Sequence, residues 1–139
     1  MSFWDTSAIV PLLVDEEASA EMRTLLASDP EIVAWWGTPV ECASTTARLR
    51  REGILSLDDE MSVLTLLAQL RRSWLEVLPS SELRDEAMRL PRIYSLRAAD
   101  ALQLAAAVVW SGRPAQGRLV TLDDRMRLAA RIEGFEVLP

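Results

Sequence analysis

The sequence predicts a three-layer α/β/α sandwich with a mostly parallel central sheet, built as one domain over residues 1–139. Three observations predict it. Five short apolar runs read as strands: Ser2–Trp4, Glu31–Trp36, Trp74–Leu78, Arg118–Leu122 and Phe135–Leu138. Helical patterns separate them, and strands alternating with helices of this length are most simply joined by right-handed crossovers into a parallel sheet covered on both faces. The chain of 139 residues is 50% hydrophobic and 26% charged, enough for one core, and no repeat, low-complexity tract or linker divides it.

Each element carries its own punctuation. Asp5 follows the first strand where a cap for the next helix belongs, and Pro11 shortens or bends that helix because its missing N–H cannot support a helix interior. Ala18–Ala27 places Met22, Leu25 and Leu26 at helical spacing. Thr38-Pro39-Val40-Glu41 reads as an N-cap, a proline at the first helical position and a capping-box glutamate, opening a helix that runs to about Glu52 before Gly53. Ser56-Leu57-Asp58-Asp59 opens a helix through Arg72, and Ser80 or Ser81 caps another to Leu90, where Pro91 breaks it. After Ser95 an alanine-rich helix runs to Trp110, followed by a Gly112-Arg113-Pro114 loop. Trp35 and Trp36 are adjacent in a strand and face opposite ways, so one of them lies outside the core layer that receives the other.

Composition excludes whole classes of chemistry. The chain has no histidine, and all 15 of its basic residues are arginine. Histidine bases and ligands, catalytic lysines, Ser-His-Asp and Cys-His arrangements, pyridoxal chemistry and Walker-type loops are therefore ruled out. Cys42 alone allows neither an internal disulfide nor a cysteine-clustered zinc, which suggests a reducing compartment. The opening residues lack the basic start and apolar run of a signal peptide, and Ala98–Trp110 is too short to span a bilayer. The expected location is the cytoplasm, with no membrane partner. A net charge of −6 disfavours a nucleic-acid partner until the acids are placed.

Four acids fall where a parallel sheet binds ligands, beyond the carboxyl ends of its strands. Asp5 follows the first strand, and Asp123, with Asp124 beside it, follows Arg118-Leu119-Val120-Thr121-Leu122; each reads as a cap or as a cleft carboxylate. Glu41 lies in the first turn of a helix after a strand, where a capping role and a cleft role coincide. Asp100 and Gln103 are the only polar residues from Ala98 to Trp110 and share one face. A carboxylate in so apolar a helix needs a partner, either Arg97 one turn earlier or a cation. Converging carboxylates repel unless a hard cation joins them, and oxygen ligands without nitrogen or sulfur suit Mg²⁺ or Mn²⁺.

Four segments, Asp5-Thr6-Ser7-Ala8, Val40-Glu41-Cys42-Ala43-Ser44, Arg97-Ala98-Ala99-Asp100-Ala101-Leu102-Gln103-Leu104-Ala105 and Leu119-Val120-Thr121-Leu122-Asp123, resemble the successive motifs of PIN-domain ribonucleases, especially the VapC-type toxins. Order and spacing match across essentially the whole chain. The resemblance implies an Mg²⁺- or Mn²⁺-dependent endoribonuclease, a homodimer, paired with a cognate antitoxin. It assigns catalysis and metal binding to Asp5, Glu41, Asp100 and Asp123, with Thr6 and Thr121 in support, and Asp124 makes the fourth acid ambiguous. Gln103 departs from the pattern, standing where many relatives carry another polar residue such as histidine. In-line attack by metal-activated water then leaves a 5′-phosphate and a 3′-hydroxyl, and the alternative route of 2′-hydroxyl attack assisted by histidine or lysine is closed to this chain.

Arg48, Arg51 and Arg97 are the candidate substrate contacts, Arg48 and Arg51 competing with a reading as a solvated helix face beside Glu52. Arg71, Arg72, Arg125 and Arg127 read as surface residues or antitoxin contacts. A second hypothesis is a PIN-like binding or regulatory module that no longer cuts, although such a module has no reason to keep four mutually repelling carboxylates. Receivers and dehalogenase-like phosphatases share the acidic α/β pocket but need a lysine.

Overall fold

The computed structural model describes residues 1–139. Five strands, β1 (Ser2–Trp4), β2 (Ile32–Trp35), β3 (Leu75–Val77), β4 (Arg118–Val120) and β5 (Glu136–Leu138), form one sheet in the order β3-β2-β1-β4-β5. Every neighbouring pair is parallel, so the sheet is wholly rather than mostly so. Each strand lies inside its predicted segment, and four of the five are shorter than it. Only the residues that make ladder bonds count as strand, and the flanking ones turn toward helices.

Alternation along the strands divides the apolar residues between two cores. Phe3, Val33, Trp35 and Leu119 face one side of the sheet, and Trp4, Ile32, Ala34 and Val120 face the other. The first side packs against α5 (Ser81–Arg89), α6 (Ala98–Ser111) and α7 (Asp124–Glu133) through Leu83, Leu104, Ala105, Met126 and Ala130. The second packs against α1 (Thr6–Leu13), α2 (Ser19–Ser28), α3 (Thr38–Arg51) and α4 (Leu57–Arg71) through Ile9, Met22, Cys42 and Leu67. Trp35, the last residue of β2, is buried and Trp36, in the turn just after it, is 51% exposed, with their rings edge-on at 6.3 Å. No helix is long and apolar enough to cross a membrane.

Most helix starts follow the local chemistry. Asp5 accepts from the Ala8 N–H to cap α1, Ser56 and Asp59 form a capping box on α4, and Ser80 caps α5. Pro11 lies inside α1, which is only eight residues long.

The start of α3 differs from the sequence expectation. Gly37, not Thr38, occupies the cap, Thr38 is already helical, and no side chain caps the helix. The Thr38 hydroxyl and the Glu41 carboxylate instead take hydrogen bonds from Gln103 on α6, so a contact between helices replaces the local capping box.

Candidate active site

The strand order reverses direction at β1, whose neighbours are β2 on one side and β4 on the other. Chain connections from β1 and β4 leave toward opposite faces, which opens a crevice at their carboxyl ends. Asp5 follows β1 and Thr121 follows β4, so both stand at that crevice. Asp5 is 4% exposed. Its Oδ1 accepts from the Ser7 hydroxyl at 2.6 Å and the Ala8 N–H at 3.2 Å, and its Oδ2 accepts from the Thr121 hydroxyl at 2.7 Å. Burial, reinforced by the charge of Asp123, raises its pKa from 3.8 to about 6 against the lowering effect of these donors. Ser7 also receives the Leu122 N–H at 2.8 Å, and Thr121 receives the Asp123 N–H at 3.1 Å. The loop after β4 is thereby fastened to the start of α1.

Glu41 reaches the same cleft from the first turn of α3. Its Oε2 accepts from the Thr6 hydroxyl at 2.9 Å and its Oε1 from the Gln103 amide at 3.1 Å. Burial raises its pKa, as does the nearby charge of Asp100, while Thr6 and Gln103 oppose the rise. Gln103 is 2% exposed and its amide also donates to Thr6 at 2.7 Å and Thr38 at 3.0 Å. One side chain on α6 thus holds α1 and α3 together beneath the cleft, while its own buried Oε1 has no partner.

Asp100 is half-buried on the same face of α6 and accepts from the Arg97 backbone N–H at 3.3 Å. No salt bridge joins it to the Arg97 guanidinium, so the arginine partner that the sequence offers is not used. Asp123 lines the cleft and at the same time caps α7 by accepting from the Met126 N–H at 2.8 Å. The cap and cleft readings of Asp123 are thus not alternatives: one side chain takes both positions. Asp124 does not line the cleft; its fully exposed side chain lies 4.0 Å from Arg127.

Asp5, Glu41, Asp100 and Asp123 together line one open cleft of ≈ 310 Å³. Thr6 lines it too, and Thr121 supports Asp5 from beneath. Arg48 and Arg51 are exposed and line no part of it; Arg48 pairs with Glu52 at 3.2 Å, the solvated-face arrangement. Arg97 borders an adjoining depression instead. The sequence reading gave no role to Ser7, Thr45 or Glu16, which also line the cleft. Thr45 was within reach of sequence reasoning, one turn after Glu41 on α3, whereas Glu16 sits in the irregular link between α1 and α2 and carries no pattern.

The donor chemistry of the cleft suits a hard divalent cation. Every charged group lining it is a carboxylate, no arginine lines it, and the upward shifts of Asp5 and Glu41 register burial and neighbouring negative charge. No three of the acids are drawn together as a ready-made ligand cluster. Each is tied instead to hydroxyl, amide or backbone donors, so ligation requires side-chain adjustment.

A family model described as "PIN domain" matches residues 3–132. The chain belongs to the PIN domain family. Among solved structures, this PIN domain is similar to a chain from a toxin-antitoxin complex of Klebsiella pneumoniae, with a TM-score of 0.69 over 100% of this chain and 97% of the other. At 15% identity that likeness speaks to the fold. No curated protein matches the chain. In this PIN domain the cleft occupies the crevice where the sheet order reverses, and four of its five acids come from the ends of β1 and β4 and the first turns of α3 and α6, Glu16 alone coming from the link between α1 and α2.

Proposed function

We propose that this PIN domain is an endoribonuclease dependent on Mg²⁺ or Mn²⁺, the toxin of a toxin-antitoxin pair. The observation that carries the reading is the convergence of Asp5, Glu41, Asp100 and Asp123 on one cleft that no cationic side chain lines. PIN domains are generally nucleases, and the similar Klebsiella pneumoniae chain comes from a toxin-antitoxin complex. An antitoxin is the expected protein partner, with a homodimer as the working form and the cytoplasm as its location.

Held by the four carboxylates, Mg²⁺ or Mn²⁺ supplies Lewis-acid stabilisation of phosphate charge and acidification of water. The chain's own residues do the positioning. Thr121 and Ser7 fix both oxygens of Asp5, and Thr6 and Gln103 fix both oxygens of Glu41. Such outer contacts set the orientation and basicity of metal-ligating side chains. Burial raises the pKa of Asp5 and of Glu41, so a cation that favours their ionised forms couples its binding to proton release at this cleft. With neither histidine nor lysine in the chain, the proton leaving the attacking water passes to solvent or a carboxylate.

Total cellular RNA incubated with Mg²⁺ or Mn²⁺, against the same mixture with chelator, tests the reading. Discrete metal-dependent cuts by the native chain, lost in Asp5→Asn and Asp100→Asn, are expected. A folded, antitoxin-free protein that cuts no RNA with either metal returns the acids to a structural or partner-binding role.

A further inference from the structure

The cleft itself presents only carboxylates as charged groups, so a polyanionic substrate needs cationic contacts beside it. Most arginines are already engaged: Arg23, Arg48, Arg50, Arg71, Arg89, Arg113, Arg118 and Arg127 each lie against a carboxylate. Of those without such a partner, Arg51, Arg72, Arg84, Arg92 and Arg131 border neither the cleft nor the depression next to it. Arg97 and Arg125 remain. Both are exposed, and both line a depression of ≈ 540 Å³ whose wall includes Asp100 and Asp123, the acids it shares with the cleft. Arg97 immediately precedes α6 and Arg125 lies in the first turn of α7, so the ends of two packed helices fix the spacing of the pair.

We infer that Arg97 and Arg125 form a phosphate-binding subsite, which holds the RNA backbone on the α6–α7 side of the cleft. This inference rests on the nuclease reading and adds to it the direction in which the strand leaves the acids. Guanidinium groups suit the task because their fork matches two phosphate oxygens. Asp100, Asp123 and Asp124 also border the depression, so its charge favours phosphate only when the cleft acids are neutralised by a cation. RNA binding here is therefore expected to require the same divalent ion as cutting.

The test is steady-state cleavage of a short single-stranded oligoribonucleotide of mixed sequence in Mg²⁺ or Mn²⁺, across a salt series. The native chain is compared with Arg97→Gln, Arg125→Gln, the corresponding lysine variants and Arg131→Gln, a control at the far end of α7. Each glutamine variant is expected to raise KM about tenfold with kcat unchanged and to flatten the dependence of log(kcat/KM) on log salt by about 1. Lysine should restore the slope by restoring the charge, and Arg131→Gln should match the native chain. If the native chain cuts and the glutamine variants keep its KM and salt slope, the subsite is overturned and the nuclease reading stands. If the native chain cuts no RNA with either metal, both fall together.

Discussion

The Thr121 hydroxyl donates to Asp5 Oδ2 at 2.7 Å, joining residues 116 apart in sequence across the carboxyl ends of β1 and β4. The pairing of these two strands, with Trp4 against Val120, sets the residues that follow them side by side. The bond serves a buried carboxylate, where a hydrogen bond to a charged group is worth about 1.5–3 kcal/mol. Thr121→Val keeps the shape and removes the donor. It should destabilise the metal-free chain by roughly that amount at neutral pH, measured by urea unfolding. A loss indistinguishable from zero would show that this donor does not support the Asp5 carboxylate.

Asp5 also sets the sign of a pH dependence. Its folded pKa of about 6 lies above its ordinary 3.8, so between these values the folded chain holds a proton that the unfolded chain has released. Stability in chelator should therefore fall as pH rises through that window, by roughly 3 kcal/mol from this group. Glu41, also raised first by burial, adds a slope of the same sign. Asp5→Asn should be as stable as the native chain below about pH 4 and more stable at neutral pH. An Asp5→Asn chain less stable than native at neutral pH would contradict this electrostatic cost.

Gln103 is the hub beneath the cleft. Gln103→Met preserves much of its volume but removes the donors to Thr6, Thr38 and Glu41. Loss of such outer contacts should lower RNA cleavage about 10–100-fold and weaken Mn²⁺ binding in step, with the chain still folded. Unchanged cleavage and metal affinity would show that Glu41 needs no such support.

Cys42 follows Glu41 in α3 but faces the core, fully buried, and burial is the largest cause raising its thiol to about 12. The native chain should resist iodoacetamide at about pH 8 and react once unfolded in urea. Rapid stoichiometric alkylation of the native chain would contradict the packing of α3 against the sheet.

The fold was legible because its signals are local. Each strand is an apolar run, and most helices carry a cap or a breaker at the expected place, as at Ser56 and Ser80. Asp5 and Asp123 could be placed in the sequence because a residue following a parallel strand emerges at its carboxyl end. The start of α3 misled for the opposite reason: Thr38 and Glu41 have capping chemistry, but Gln103, more than 60 residues away, takes both. Nor does local sequence reveal that Arg97 and Arg125 share a depression, since only the packing of α6 beside α7 brings them together.

The most direct test of the central claim is the chemistry of the ends made when this chain cuts a defined oligoribonucleotide in Mg²⁺ or Mn²⁺. In-line attack by metal-activated water is expected, with a 5′-phosphate and a 3′-hydroxyl at every cut and no cutting by Asp5→Asn. Ends bearing 2′,3′-cyclic phosphate, or cutting that persists in chelator, would contradict it.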